Sequence, residues 1–405
     1  MKKVTFIHGA DLHLDSPMIG LKHLPEQIFK RIRESTFVAL KKLINSALEN
    51  KVDFVVLAGD LFDGEDRSLR AQSRLRAEMQ RLEEKDIPVY IVHGNHDHLS
   101  GTWVNLDMPN NVHVFSDDVE VKTFTTKTGN IVNIYGFSYS RRHIYDRKID
   151  DYFKQEGADF HIGILHGNEA GSKEHSNYAP FYLKDLLDKQ YDYWALGHIH
   201  KRTILSEQPP ILYPGNTQGR NKKETGLKGF YNVSLNEFAT DLTFIESSDV
   251  IWDEAVIDAQ GAQSFQEVYQ LCQTFISRYR QKTKGILLTL FVKNVHLQDH
   301  NERTVLEGEL LELLQEEEKE EDSFVWIVDL SINENLLIDK ERLKNESEFY
   351  RELFETAEFG HPESSLSLLY DHSLGRKYLS SLTPEEQQQL LEKAEKLLIQ
   401  YLHQL

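Results

Sequence analysis

Short apolar runs alternate with longer amphipathic stretches through the first 245 residues of the chain. The run "VDFVVLAGD" (Val52–Asp60) contains a continuous apolar stretch, which is typical of a strand covered on both faces of a sheet. The residues from Pro25 to Asn50 instead repeat apolar side chains with helical spacing, which predicts an amphipathic helix. The later runs follow one another closely, with few helices between them. This pattern predicts an α/β domain, layered in the α+β manner, with a two-sheet core and helices outside.

The pattern changes near Val250, where a second module begins. Strand-like runs occur at "WDEAVIDA", "GILLTLFVKNV" and "SFVWIVDLSI", and helical stretches over Ser264–Gln281 and from Glu302 to about Leu314 separate them. The residues that follow this module are helical and amphipathic in pattern. We therefore predict three parts: a first domain over residues 1–247, a small β-α-β domain over 248–340, and C-terminal helices over 341–405.

The charge of the chain is unevenly distributed between these parts. Residues 1–245 hold 33 acidic and 31 basic side chains, a net charge of -2, whereas residues 246–405 hold 32 acidic and 15 basic side chains, a net charge of -17. Strong acidity argues against indiscriminate binding to nucleic acid, which depends on Lys and Arg contacts to phosphate. The nearly neutral first part can still carry local basic patches.

The cysteine content and the hydropathy of the chain bear on its location. Cys272 is the single cysteine, so an intramolecular disulfide bond is excluded. This favours a reducing, cytoplasmic setting. No apolar run approaches the roughly 18 residues of a membrane span. We therefore expect a cytoplasmic protein without a membrane-spanning segment.

Several predicted strands of the first domain end in side chains that commonly bind metals. These residues are Asp11 and His13 in "GADLH", Asp60 in "LAGDLFD", Asn95 in "HGNHD", His166 in "ILHGN", and His198 and His200 in "LGHIH". Open α/β sheets place their sites at the carboxyl ends of strands. We therefore expect these side chains to converge, although they come from distant parts of the sequence.

The mixture of imidazole and carboxylate groups indicates the kind of metal. It suits Mn, Fe or Zn better than Mg or Ca, which prefer all-oxygen ligand sets. One ion would not need so many ligands, but two ions that share a carboxylate would. Pairs of ions about 3.5–4 Å apart are a common device of phosphoryl chemistry, and a water held between them readily becomes a nucleophile. The ligand set therefore predicts hydrolysis of a phosphoester.

The ordered set D-x-H, G-D, G-N-H-D, H and G-H-x-H, which runs from Asp11 to His200, resembles the signature of the calcineurin-like metallophosphoesterases. The segment "YPGNTQGR" (Tyr213–Arg220), together with the downstream module, is similar to the SbcD-type double-strand-break nucleases. The resemblance covers the first domain by motif and the second module by architecture alone. It implies a two-sheet metallophosphoesterase core, a small capping domain that shapes access for DNA, and C-terminal helices.

The resemblance also implies a role for each residue of the set. Two ions would be held, the first by Asp11, His13 and His200, the second by Asn95, His166 and His198, with Asp60 as the bridge between them. His96 would be catalytic and contact the scissile phosphate, either steadying its charge or protonating the leaving oxygen. Asp97 would hydrogen-bond to His96 and orient it. Some members of the family carry a histidine three residues after the bridging aspartate, but this chain has Asp63 there, so that role does not transfer.

The substrate-binding candidates lie in a basic, glycine-rich segment after the "GHIH" strand. Arg220 and Lys222 come from "GRNKKETGLK" (Gly219–Lys228), and Asn216 comes from the "YPGN" segment just before it. Side chains of this kind position nucleic-acid backbones by binding phosphate oxygens. Among the other histidines, His8 in the first strand is expected to be a hydrogen-bonded core residue.

The leading hypothesis is a Mn-dependent DNA exonuclease or endonuclease of the SbcD type that acts in DNA repair. The resemblance implies an SbcC-like SMC-type ATPase as its partner, bound by the C-terminal helices, and it allows a homodimer. One alternative is a small-molecule or nucleotide phosphoesterase with the same metal centre, which the metal motifs do not separate from a nuclease. The other is a non-catalytic scaffold that binds DNA ends, against which the intact ligand set argues.

Overall fold

The computed structural model describes residues 2–18, 21, 24–64, 67–100, 104–171, 178–295, 297, 309–319, 322–334, 344, 347–359, 366, 386–388, 390–391, 394–395 and 398. The chain forms two compact units, Met1–Glu334 and Asn335–Leu405. The predicted boundary at residue 247 falls inside the first unit. The division of that unit into a first domain and a capping domain therefore stays a prediction.

Two six-stranded sheets form the centre of the first unit, with strands numbered here in chain order. The first sheet holds, in spatial order, β12 (Thr240–Glu246), β11 (Gly229–Asn236), β1 (Lys3–Gly9), β2 (Phe54–Ala58), β3 (Val89–Val92) and β4 (Val112–Val114). The second holds β5 (Glu120–Thr125), β6 (Ile131–Gly136), β7 (Phe160–His166), β8 (Tyr193–Gly197), β10 (Pro210–Tyr213) and β9 (Thr203–Glu207). β1 to β4 pair in parallel, as do β6, β7, β8 and β10.

The two sheets pack face to face through a continuous apolar layer. Side chains of the first sheet, such as Phe6, contact Ile162 and Tyr193 of the second sheet, and the rings of Phe6 and Tyr193 meet edge to face at 5.1 Å. The outer face of the first sheet is covered by α1 (Glu26–Asn50) and α2 (Leu69–Glu83). The predicted layered fold, with a two-sheet core and helices outside, is confirmed.

Capping residues explain where these helices begin. Pro25 precedes the first residue of α1, where its fixed φ angle suits a helix start. The α2 helix begins after Ser68, whose side chain accepts a hydrogen bond from the backbone N–H of Ala71. A short helix, α3 (Leu183–Asp188), lies between β7 and β8 in the chain.

A three-stranded parallel sheet follows, in the order β13 (Val250–Asp258), β14 (Gly285–Val295) and β15 (Phe324–Glu334). It packs against α4 (Phe265–Tyr279) and the helical residues 309–316. The predicted β-α-β arrangement is thus present, while the predicted helix start at Glu302 lies outside the described residues. Trp252 and Leu287 of this module share an apolar cluster with Ile28 and Ile32 of α1, so the module rests on that helix.

The second compact unit contains α5 (Glu348–Phe359), in which Tyr350 and Leu353 pack against the buried Phe354. Most of the predicted C-terminal helical region, 341–405, lies outside the described residues. In the parts of the chain that the structure describes, every helix is too short or too polar to cross a lipid bilayer.

The two large sheets come closest at the carboxyl ends of their central strands. Gly197 ends β8, and a Cβ atom at this position would lie 1.8 Å from the carbonyl oxygen of Ala58 at the end of β2. At Gly94 a Cβ would lie 2.3 Å from Oδ1 of Asp60 and 2.6 Å from Nε2 of His166. The absence of side chains at these glycines therefore lets the strand ends and the side chains after them converge.

We predict that Gly197→Ala lowers the free energy of unfolding by about 3 kcal/mol or more, because the new methyl group meets backbone that cannot rotate away. Gly129→Ala is the matched control: Gly129 has a φ of +87° but open space around it, so its cost is about 1–2 kcal/mol of backbone strain. Urea-induced unfolding followed by fluorescence measures both values. An equal or smaller loss for Gly197→Ala than for Gly129→Ala would contradict the steric argument.

Candidate metal centre

All seven predicted metal ligands lie at the carboxyl ends of parallel strands. Asp11 and His13 follow β1, Asp60 follows β2, Asn95 follows β3, His166 is the last residue of β7, and His198 and His200 follow β8. Five of the seven are buried, and only His198 and His200 are half-exposed. The structure therefore brings together, in one place, side chains that are up to 189 positions apart in the sequence.

One group of converging ligand atoms belongs to Asp11, His13 and His200. The Nε2 atoms of His13 and His200 face each other at 3.1 Å, and Nε2 of His200 lies 3.8 Å from Oδ1 of Asp11. The ligand atoms of these three residues all lie within 4.8 Å of one another. This is the trio that the family resemblance assigns to one ion.

The second group centres on the amide oxygen of Asn95. Nε2 of His166 and Nδ1 of His198 each lie 3.1 Å from Asn95 Oδ1. The carboxylate of Asp60 lies between the two groups, with its Oδ2 atom 3.8 Å from Nε2 of His13 and 3.5 Å from Nε2 of His166. Its position is therefore that of a bridge.

The chemistry of these donors fits a pair of divalent cations. Imidazole nitrogens and carboxylate and amide oxygens converge in one place, and such ligands suit Mn, Fe or Zn. Burial lowers the pKa of His13 to about 3, so its imidazole is neutral and keeps a lone pair for a metal. Two buried carboxylates, Asp11 and Asp60, also require positive charge nearby, because an unpaired buried charge is strongly disfavoured.

Burial raises the pKa of both carboxylates, but their neighbours make the net shifts opposite. Burial raises the pKa of Asp11, and the charge of Asp60 adds to the effect, although His200 and His166 oppose it. Burial also raises the pKa of Asp60, but the imidazoles of His166 and His13 outweigh it and hold that pKa well below its usual range. Two like charges this close compete for the same counter-charge, which a bound cation would supply.

The backbone at the site is held in unusual conformations. The φ angles of Asp11, His13 and Asp60 are 51°, 41° and 51°, and that of His198 is 100°. Left-handed conformations of this kind cost about 1–3 kcal/mol each in residues other than glycine and persist where the surrounding structure fixes them. Here the backbone N–H of His13 donates to the carbonyl oxygen of Asp60 at 3.0 Å. Four of the seven candidate ligands thus have strained backbone conformations, which fits a functional site.

His96 lies beside the cluster, and its orienting carboxylate differs from the one expected. Its Nδ1 atom is 3.4 Å from Oδ1 of Asp63. Burial lowers the pKa of His96, but Asp63 and Asp60 outweigh burial and raise it above its usual value. The expectation that Asp97 orients His96 is wrong, because Asp97 is fully buried and points inward. It accepts hydrogen bonds from the backbone N–H groups of Leu61 and Gly94 and lies 3.0 Å from Nδ1 of His93.

Asp63, for which no role could be carried over, connects four side chains. Its Oδ2 atom accepts a hydrogen bond from Ser16 Oγ at 2.6 Å and pairs with Arg220 at 3.1 Å, and its Oδ1 atom lies 3.6 Å from Nδ1 of His13. Burial raises the pKa of Asp63, but His13 and His96 outweigh it, so the pKa lies far below its usual range. Asp63 thus supports both a candidate ligand and His96.

Glu224 plays a comparable part for His200 and was missed in the sequence. Its Oε1 atom lies 2.8 Å from Nδ1 of His200, and a carboxylate on the second ring nitrogen fixes the orientation of a ligating histidine. Arg220 donates to Glu224 as well as to Asp63, so one guanidinium joins the two carboxylates. An isolated acidic residue within the basic loop Gly219–Lys228 was the available sequence signal.

The substrate-binding candidates require two corrections. Asn216 is fully buried, and its amide group donates to the carbonyl oxygen of Gln218 and to Glu224, so it supports Glu224 rather than facing substrate. Lys222 points to the three-stranded module, where its Nζ atom lies 3.7 Å from Asp329. Lys223 lines the cavity beside the cluster instead. In an irregular loop, the spacing of residues in the sequence does not predict which side chains face the cavity.

The cavity beside the cluster has a volume of about 760 Å³. Its lining includes Asp60, Asn95 and His96 as well as the basic residues Lys201, Arg220, Lys223 and Lys228. His8, expected to be a hydrogen-bonded core residue, is fully buried, with its ring nitrogens 2.9 Å from the hydroxyl of Tyr193 and 3.2 Å from the carbonyl oxygen of Leu196. That expectation is confirmed.

Comparison with known proteins agrees with this geometry. The model of the calcineurin-like phosphoesterases matches residues 4–202, and the chain belongs to this family of metal-dependent phosphoester hydrolases. Over 400 residues it is 41% identical to the uncharacterized metallophosphoesterase YhaO of Bacillus subtilis. This match covers 97% of this chain and 96% of that protein. The resemblance to the calcineurin-like metallophosphoesterases is thus confirmed.

More distant similarity extends to two other proteins. The chain is 29% identical over 281 residues to the DNA double-strand break repair protein Mre11 of Methanocaldococcus jannaschii, covering 65% of this chain and 72% of that protein. A solved dimetal phosphatase from Danio rerio matches with a TM-score of 0.36 and 13% identity, over 60% of this chain and 98% of that one. The family uses a pair of metal ions, and the candidate ligand groups described above are present in this chain.

We predict that Glu224→Gln weakens metal binding by about 10–100-fold, since a neutral amide orients His200 less firmly than a carboxylate. Competition with a chromophoric chelator, carried out with Mn²⁺ and with Zn²⁺, measures the affinity. Glu169→Gln is the control, because Glu169 lines the same cavity and the change is chemically identical. If both variants bind metal as the unaltered chain does, Glu224 has no part in holding the ligand set.

Proposed function

We propose that this protein is a two-metal phosphodiesterase that hydrolyses DNA in double-strand-break repair, with Mn as the metal. The proposal is supported by one combined observation: the chain has a ligand set for two metal ions and is also similar to Mre11, a DNA double-strand break repair protein. Asp11, His13, Asp60 and the other four strand-end residues would hold the ions. When bound, the ions would supply an activated water and positive charge for the phosphate oxygens.

His96 is the residue that we expect to act on the phosphate. It lines the cavity, and its backbone N–H donates to Oδ1 of Asp60 at 2.9 Å, which places the residue directly beside the bridging position. Since Nδ1 faces Asp63, the other ring nitrogen, Nε2, is left to contact a phosphate oxygen. From there it can donate a proton to the leaving oxygen.

The basic residues that line the cavity suit an anionic strand. Lys201 and Lys223 are two of them, whereas Arg220 is engaged with Asp63 and Glu224 and serves to hold the site in shape. Side chains of this kind contact phosphates and position a nucleic acid without reading its sequence. We therefore expect Lys223, in place of Lys222, to contact the substrate backbone.

The resemblance to the SbcD-type nucleases also supports a proposal about partners. The C-terminal helices would bind an SbcC-like SMC-type ATPase, and α5 offers an apolar side with the exposed Phe349 beside the Tyr350–Phe354 cluster. A homodimer is compatible with this arrangement. Mixing the protein with the coiled-coil base of an SbcC-like SMC-type ATPase, followed by gel filtration with and without the Phe349→Asp change, tests the docking.

We predict that the protein, supplied with Mn²⁺, degrades a linear DNA duplex and retains about two ions per chain. Three substrates should be compared: the linear duplex, a chromogenic phosphate diester and a set of mononucleotides. Turnover of mononucleotides alone would favour a small-molecule phosphoesterase. Binding of DNA ends without turnover or bound metal would favour a scaffold.

We predict that His96→Ala abolishes most cleavage, by a factor of about 10²–10⁴ as for other general acids, while both ions are retained. His200→Ala serves as the comparison, because loss of a ligand should remove metal and activity together. Metal content by mass spectrometry and cleavage of labelled duplex provide the two readouts. Loss of metal from His96→Ala would show that His96 is itself a ligand.

A further inference from the structure

Three aromatic rings form a nearly parallel group at the edge of the metal centre. The ring centroids of His143 and Tyr178 are 5.3 Å apart, those of Tyr145 and Tyr178 are 5.8 Å apart, and those of His143 and Tyr145 are 6.1 Å apart. The angles between the ring planes are 24°, 29° and 6° in the same order. We name these three residues the aromatic platform. Tyr145 is 62% exposed, so the platform is open to solvent.

Hydrogen bonds hold His143 and Tyr178, two of the three members of the platform. The Tyr178 hydroxyl and Nδ1 of His143 are 2.8 Å apart, and the backbone N–H of Ala179 donates to the carbonyl oxygen of Ile144 at 2.7 Å. The backbone N–H of Tyr178 donates to Oδ1 of Asn168, which lines the cavity. A large apolar surface that is rigid and exposed next to a site marks a binding surface, because ordering it on binding costs little entropy.

The platform adjoins the metal centre directly. The ring of Tyr178 meets the ring of His198, a candidate ligand, edge to face at 5.5 Å. The loops that carry the platform follow the carboxyl ends of β6 and β7, the same edge of the sheet that supplies His166. Two exposed arginines, Arg141 and Arg142, immediately precede His143. Aromatic faces next to basic side chains are the combination that binds single-stranded nucleic acids.

We propose that the aromatic platform is a binding site for an unstacked nucleobase of a single DNA strand whose neighbouring phosphate lies at the metal centre. This inference rests on the proposed function and deepens it, since it names a frayed or single-stranded end as the form of DNA that is bound. A base inside a duplex has both faces covered by its neighbours, whereas a base at an opened end can stack on Tyr145. Stacking tolerates every base, because each has a π-face.

The experiment measures the affinity of the full-length protein for two fluorescent oligonucleotides of equal length, one of thymidines and one of abasic residues, with Ca²⁺ present. We expect the unaltered protein to bind the thymidine strand roughly tenfold more tightly than the abasic strand. Tyr145→Ala should abolish this preference, and Tyr145→Phe, which keeps the ring, should preserve it. An unaltered protein without the preference, or a Tyr145→Ala variant that keeps it, overturns the proposal.

Phe238→Ala is the matched control. Phe238 is 81% exposed at the turn between β11 and β12, and Asn236 pairs with Lys3 at the opposite end of β1 from the metal centre. The Phe238→Ala variant should still prefer the thymidine strand over the abasic strand. If it has lost this preference, the preference does not come from the platform. Competition by thymidine monophosphate as effectively as by the strand would reject a DNA strand as the occupant.

Two assays separate failure of this inference from failure of the proposed function. If the protein cleaves duplex DNA with Mn²⁺ but shows no base preference, the nuclease proposal is supported and the platform proposal is rejected. A base preference that depends on Tyr145, in a protein that cleaves no DNA, would support the platform and remove the nuclease proposal.

Discussion

The structure depends on two buried carboxylates, Asp11 and Asp60, that face converging imidazoles where the two sheets meet. Isolated negative charge at such a depth is unfavourable by many kcal/mol unless a cation or donors compensate it. The surrounding features serve this arrangement. Glycines allow the strand ends to approach, and the ligands Asp11, His13, Asp60 and His198 occupy left-handed backbone conformations that cost free energy by themselves.

A second layer of carboxylates gives the site its rigidity. Asp63 faces His13 and His96, Glu224 faces His200, and Arg220 joins Asp63 to Glu224 across two loops that are distant in the chain. Asp63 lies next to the imidazoles of His13 and His96, and the guanidinium of Arg220 balances its charge.

Basic side chains and aromatic rings both border the candidate metal centre. Lys201 and Lys223 line the cavity, and the ring of Tyr178 in the aromatic platform meets that of His198 edge to face. The three-stranded module contacts α1 through apolar residues, and Arg31 of α1 pairs with Asp249, just before β13, at 2.9 Å.

The sequence by itself determined the layered fold, the β-α-β module and the set of seven strand-end residues, because apolar periodicity and ordered motifs are local properties of the chain. The tertiary structure alone decided which carboxylate faces His96, that Asn216 is buried, and that Lys223 rather than Lys222 borders the cavity. These facts depend on side-chain directions in irregular loops, and packing between segments far apart in sequence sets those directions. The aromatic platform is of the same kind, since Tyr178 and His143 meet only when the loops after β6 and β7 fold together.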